Sequence, residues 1–226
     1  MQPGVTLILG KSFTGKTARM LHELRRSPRF VIADPKCAQL ASLPHFAHLW
    51  PEWSGERWAG FTIPDYFSTR LASRFRVVAH FRHAFKEQLD ALCYLLLRVK
   101  NLTLAVDEMG LFAPPGPAGC LPPYLTALVV SGRHEGINVV ATVQRPSMVH
   151  ATMLSQATRI LAYRITERND LDKLSDYLPR DLVEGLPFLS DYVCVDWQDG
   201  REPFVDLSLK GKLGSLLPAP PLQIHL

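Results

Sequence analysis

The 226-residue chain has no long hydrophobic run. Its longest unbroken apolar stretch, Ala91 to Leu97, falls far short of the roughly 20 residues a membrane-spanning helix needs. That sets aside a protein held in the bilayer by helices. No basic region precedes an apolar stretch after Met1-Gln2-Pro3-Gly4, so a secretory signal is not expected. The four cysteines, Cys37, Cys93, Cys120 and Cys194, form no C-x-x-C pair. Their scatter argues against a zinc ribbon or a dithiol redox motif and fits reduced thiols in a cytoplasmic compartment. Charge of one sign is also scarce: 25 Lys+Arg against 21 Asp+Glu leave a net +4, compatible with a polyanionic partner but common in proteins without one. What remains is an ordinary globular composition, 47% hydrophobic and 20% charged, which excludes a disordered chain.

Apolar patterning then reads as an α/β fold. Val5 to Leu9 is a short buried strand ending at Gly10, Thr17 to Arg26 carries a helical stripe (Ala18, Met20, Leu21, Leu24), and Phe30 to Ala33 is a second buried strand. Strand, helix, strand within some 30 residues predicts a βαβ unit and a parallel sheet. Further strands are expected at Arg76–Ala79, Leu102–Val106, Ile137–Val143 and Arg159–Ile165. Helices are expected around Phe85–Leu96, Leu125–Val130 and Glu167–Tyr177, and a terminal hairpin over Tyr192–Trp197 and Glu202–Leu207. Residues 42–70, with Trp50, Trp53, Trp58 and several prolines, read as an irregular insertion with room for one short strand, and Ala113–Pro123 as a loop. One domain is expected over 1–210, followed by a Pro-rich tail over 211–226.

Gly10-Lys11-Ser12-Phe13-Thr14-Gly15-Lys16-Thr17 matches G-x-x-x-x-G-K-[ST] at every fixed position, between a predicted strand and a predicted helix. Such a loop turns backbone N–H groups inward, and the helix behind it adds its positive end, so the two together hold phosphate. Lys16 is expected on the β- and γ-phosphates of ATP and the Thr17 hydroxyl on Mg2+. A second metal partner is needed at the end of another buried strand, and Leu102-Thr103-Leu104-Ala105-Val106-Asp107-Glu108 supplies one. Asp107 is expected to bind the metal, directly or through water, and Glu108 to orient and deprotonate the attacking water. Asp34 and Asp65 are weaker candidates for that place.

A third stretch runs Ser131-Gly132-Arg133-His134-Glu135-Gly136 into Ile137 to Val143 and closes on Gln144-Arg145-Pro146. With the phosphate loop first and Asp-Glu near the middle, it resembles the FtsK–HerA superfamily of DNA-pumping ATPases over residues 5 to 165. Within it, the short chain looks most like the genome-packaging ATPases of internal-membrane icosahedral viruses. The resemblance implies a RecA-like (ASCE) P-loop NTPase fold and ATP hydrolysis coupled to translocation of double-stranded DNA, gripped without sequence preference. It makes Gln144 a polar sensor of the γ-phosphate or attacking water. Arg133 becomes the arginine finger entering a neighbouring subunit's site, with Arg145 and Arg159 as second choices. A finger in trans implies a closed ring, a hexamer by family precedent, in the host cytoplasm or at a portal vertex beside a capsid or membrane protein. Arg133 also reads as a helix-end residue answering the dipole, and Gln144 as a strand cap. The basic stretch Arg70, Arg74, Arg76, Arg82 and Lys86, with His80 and His83, is a candidate pore lining or simply a solvated face.

Three rivals compete. A thymidine-type deoxynucleoside kinase shares the loop and the Asp-Glu strand, but that family's zinc-binding C-x-x-C pairs are missing and Gln144-Arg145-Pro146 goes unexplained. A filamentous-phage secretion ATPase of the zonula-occludens-toxin type is a closer relative. A nucleotide-gated assembly switch would have no use for a base at Glu108.

Overall fold

The computed structural model describes residues 4–37, 40–42, 46–50, 52–53, 58–59, 74–117 and 120–206, with backbone alone at 52–53 and 58–59. Among these, nine strands form one sheet: β1 (Val5–Leu9), β2 (Arg29–Asp34), β3 (Ala47–Leu49), β6 (Phe75–His80), β7 (Thr103–Val106), β8 (Asn138–Val143), β9 (Ala157–Ala162), β10 (Cys194–Gln198) and β11 (Phe204–Asp206). β4 (Glu52–Trp53) and β5 (Trp58–Ala59) pair separately as a small antiparallel ribbon. The spatial order is β11-β10-β9-β1-β8-β7-β2-β6-β3. Pairing is parallel from β9 across to β3 and antiparallel only where β10 and β11 are added.

Every residue of β1 is buried, as expected when crossover helices cover both faces of a parallel sheet. Alternation divides the strands cleanly. Val5, Leu7 and Leu9 join Val31, Leu104, Val106, Val139 and Ala141 on one face. There they meet α2 (Phe85–Val99), through Leu89, Leu92 and Leu96, and α4 (Pro123–Ser131), through Leu125 and Leu128. Ile8, Ile32, Ala105 and Val140 face the other way, onto Met20, Leu21 and Leu24 of α1 (Lys16–Leu24). Each such aliphatic side chain contributes about 1.5–3 kcal/mol when fully buried.

The registers decide what meets at the sheet's edge. Leu9 lies opposite Val143, Val106 opposite Ala141, and Ala33 opposite Val106. The residues that follow, Gly10, Gln144, Asp107, Thr142 and Asp34, therefore crowd one edge, at the C-terminal ends of four adjacent parallel strands. β8 sits between the phosphate-loop strand and the acidic strand, the order expected of a RecA-like P-loop NTPase.

Some elements differ from expectation. β3 is a short strand inside the irregular stretch, as that reading allowed, but its position was unmarked because Ala47-His48-Leu49 is too short to carry a period; the rest of 42–70 lies largely outside the described residues. The terminal hairpin forms as expected, but β10 also pairs with β9 and so extends the main sheet. The short helices α3 (Met109–Phe112), α5 (Ala151–Ser155) and α7 (Arg180–Gly185) were not legible, having fewer than two turns each, whereas α6 (Arg168–Leu174) falls inside the expected helix. The tail from 207 onward lies outside the described residues. No helix among the described residues is long and apolar enough to cross a membrane, and all four cysteines are free.

Candidate nucleotide site

Gly10 leaves β1 at φ 150° and Gly15 precedes α1 at φ 100°, backbone that glycine adopts at little cost. Packing enforces the same choice: a Cβ on Gly10 would stand 2.7 Å from Tyr163 Cβ, and one on Gly15 2.7 Å from Tyr192 Cδ1. α1 then begins at Lys16 with no side chain capping its first turn, so its positive end faces the loop. The Lys16 ammonium donates to the Lys11 carbonyl at 2.7 Å, an oxygen that also accepts from Thr14 Oγ1 at 2.8 Å. Burial pushes Lys16 down from its ordinary value to about 8; Glu108 and Asp107 pull it up, and the neighbouring Lys36 pushes it down further. A buried ammonium held at such a cost gains from an incoming polyanion. Ser12 and Phe13 form the exposed tip of the loop, Phe13 at φ 64°. The Lys11 side chain turns outward to Glu167 at 3.4 Å.

Asp107 is 3% exposed at the end of β7. Its two oxygens divide their partners. Oδ1 accepts from Thr142 Oγ1 at 2.8 Å and from Thr17 Oγ1 at 3.2 Å, while Oδ2 faces Lys36 Nζ at 3.3 Å. Glu108 follows at φ 65°, ψ 67°, a left-handed conformation uncommon for a residue with a side chain. Its N–H donates to Thr142 Oγ1 at 2.8 Å and its Oε1 accepts from the Gln144 N–H at 3.2 Å. Thr142 thus joins both acidic residues through one hydroxyl. A hydroxyl and a carboxylate oxygen already in contact are the hard donors Mg2+ takes, with water completing its shell, so Thr17 and Asp107 fit that ion.

Gln144 is exposed at this edge, its backbone tied to Glu108. Arg133 lies elsewhere. It belongs to a single 3-10 turn, Gly132–Glu135, ahead of β8, and lines a hollow with Gly4, Val5 and Thr158 at the starts of β1 and β9. The six residues of β8, rising about 3.3 Å each, put more than about 15 Å between that edge and the phosphate loop. Among the described residues Arg133 pairs with no carboxylate. Its alternatives are committed: Arg145 to Asp170 at 2.8 Å, Arg159 to Asp196 and to Glu23.

Sequence reading missed Thr142 and Lys36. The available signals for Thr142 were its place in the closing Thr-x-Gln-Arg-Pro stretch and its polarity in a strand otherwise apolar after Asn138. Lys36 gave none, because its nearness to Asp107 depends on β2 lying beside β7. Asp34, weighed as a metal ligand, instead accepts the N–H groups of Lys36 and Cys37 at 3.0 and 3.2 Å and meets His80 Nδ1 at 2.9 Å. His80 is 1% exposed, so it is an interior group and not part of a pore lining. Arg82 lies over the Trp50 ring at 5.1 Å. Arg70 and Asp65 lie outside the described residues.

Strand order and phosphate loop together give the chain the fold of a RecA-like P-loop NTPase. Solved structures sharing it include the genome-packaging NTPase B204 from Sulfolobus turreted icosahedral virus 2 in complex with AMPPCP. Its TM-score is 0.74 at 15% identity, covering 91% of this chain and 97% of that one. B204, the DNA-packaging ATPase from Sulfolobus turreted icosahedral virus, matches at 0.68 and 19% identity, covering 91% and 98%. The N-terminal domain of zonular occludens toxin from Neisseria meningitidis matches at 0.51 and 13%, covering 94% and 97%. The resemblance to viral genome-packaging ATPases therefore holds at the level of fold. No protein-family model and no curated protein sequence matches the chain.

Proposed function

We propose that the chain is an ATPase, converting ATP and water to ADP and phosphate, which drives double-stranded DNA and packages a viral genome into a procapsid. The observation that carries this reading is the gathering of Lys16, Thr17, Asp107 and Glu108 at one sheet edge, in a fold shared with packaging NTPases along nearly their whole length. Lys16 and the amides of Gly10 to Thr17 hold the phosphates. Thr17 and Asp107 would hold Mg2+, which would supply charge neutralisation to the phosphates. Glu108, locked by Thr142 and Gln144, holds the attacking water and takes its proton. Gln144 contacts the same water or the γ-phosphate.

Arg133 is too far from its own site to act there. It serves the next copy in a ring, where its planar fork meets the charge of the transferring phosphoryl group. A head-to-tail interface of that kind closes into a ring, a hexamer on the FtsK–HerA precedent, with DNA held through its phosphates and therefore without sequence preference. The setting is the host cytoplasm, at a portal vertex beside a capsid or membrane protein. The zonular occludens toxin likeness supports a second reading, an assembly ATPase of filamentous-phage type.

The test is the ATPase rate with and without duplex DNA over a salt series, alongside the mass of the assembled particle. Stimulation by any duplex, fading as salt rises, is expected for the packaging motor. A rate indifferent to DNA favours the assembly ATPase, and ADP release dependent on thymidine would replace both with a kinase.

A further inference from the structure

Lys36 stands outside the phosphate-loop and Asp-Glu motifs yet reaches into the site. Its ammonium lies 3.3 Å from Asp107 Oδ2 and 3.8 Å from Glu108 Oε2. The Asp107 oxygen it meets is not the one that accepts from Thr17, so the lysine bridges the two acidic residues, Asp107 and Glu108. Its pivot is fixed. Asp34 is 1% exposed, and its Oδ1 accepts the N–H groups of both Lys36 and Cys37, a turn in which a carboxylate holds the backbone two and three residues on. Asp34 Oδ2 meets His80 Nδ1 at 2.9 Å, and His80 Nε2 lies 3.0 Å from His48 Nδ1, which ties the turn to β6 and β3. From that fixed base the Lys36 side chain, half exposed, keeps the rotational freedom of its four-carbon stem.

A second ammonium beside Glu108 has one evident use. Glu108 is where the attacking water would be held, and the group that water attacks is the γ-phosphoryl. Resting on the ATPase reading above, we propose that Lys36 is a γ-phosphate contact supplied in cis, the residue by which this site distinguishes a nucleoside triphosphate from a diphosphate. Lys16, buried in the loop, reaches both the β- and the γ-phosphate and so keeps a partner in either nucleotide. Lys36, two residues beyond β2 and bridging the acidic pair, meets only the terminal group. Consistent with one shared cavity, Lys36 helps hold the Lys16 ammonium below its ordinary value.

The test is equilibrium binding of fluorescently labelled β,γ-methylene-ATP and of labelled ADP, each with Mg2+ and with chelator, to wild type, Lys36→Ala and Lys36→Arg. Losing a hydrogen bond to a charged group is worth roughly ten- to hundredfold in affinity. Lys36→Ala is expected to weaken the triphosphate analogue by that factor with ADP unchanged, in chelator as well as in Mg2+, and Lys36→Arg to restore the preference. If Lys36 merely pinned Asp107, both nucleotides would weaken in Mg2+ and neither in chelator; that result, or no change at all, overturns the proposal. Wild-type protein that binds neither nucleotide would defeat the ATPase reading itself, whereas an unaltered Lys36→Ala beside a binding wild type defeats only the role given to Lys36.

Discussion

At the scale of single residues, the site depends on groups buried at a cost. Lys16 is 9% exposed and held near pKa 8 by burial, so the loop carries an ammonium whose best partner is a phosphate. Lys16→Ala is expected to abolish ATP binding, read by titration with a labelled analogue. Glu108→Gln keeps the hydrogen-bonding shape while removing the base. Bound ATP should persist while hydrolysis falls roughly 10²–10⁴-fold, and undiminished turnover in single-turnover kinetics would remove Glu108 from the mechanism. Thr142 makes a different prediction. Its hydroxyl, fully buried, donates to Asp107 Oδ1 and accepts from the Glu108 N–H. Thr142→Val preserves volume but leaves the Glu108 N–H without its acceptor and takes from Asp107 Oδ1 the shorter of its two hydrogen bonds, at about 1–3 kcal/mol. Urea unfolding should register that loss and should find Thr142→Ser close to wild type.

At the scale of elements, α1 carries the phosphate loop at one end and is clamped to the C-terminal strands at the other. Arg19 pairs with Glu23 at 2.8 Å and with Asp206 at 2.6 Å, and Arg159 joins Glu23 to Asp196. Asp196 is 2% exposed, and breaking a buried pair from one side leaves a charge without its partner. Asp196→Ala should therefore cost about 3–5 kcal/mol in denaturant unfolding, although the residue touches no part of the nucleotide site. None of this clamp was legible in the sequence, because its members come from α1, β9, β10 and β11 and meet only once the sheet order is set. Local chemistry was legible. Eight consecutive residues announce the phosphate loop, and an apolar strand ending in Asp-Glu announces the acidic pair, since each is fixed by its own backbone. The position of β3 was hidden for the opposite reason: three residues cannot show a period, and its place beside β6 is decided by pairing. Thr142, inside β8, and Lys36, two residues past β2, fall between these cases, within or beside readable strands while owing their place in the site to which strand lies next door.

At the scale of the whole molecule, the residues of the proposed mechanism lie at two edges of one sheet. The phosphate loop, Asp107 and Glu108 occupy the C-terminal edge; Arg133 projects from the other and, among the described residues, answers no carboxylate. An arginine finger is worth 10³–10⁵ in rate where it operates, so Arg133→Ala should reduce ATPase activity by orders of magnitude. That loss alone would not separate a finger from a structural residue, but mixing does. Lys16→Ala spoils a copy's own pocket and leaves its finger intact; Arg133→Ala does the reverse. In a randomly assorted ring of equal parts, about a quarter of interfaces join a sound pocket to a sound finger, so two inactive proteins should recover up to about that fraction of wild-type activity. A residue acting within its own copy, or one needed only for folding, gives no recovery at any ratio. Particles shown by mass to contain both variants, yet silent in the ATPase assay, would take Arg133 out of the neighbour's site and with it the reason to expect a closed ring.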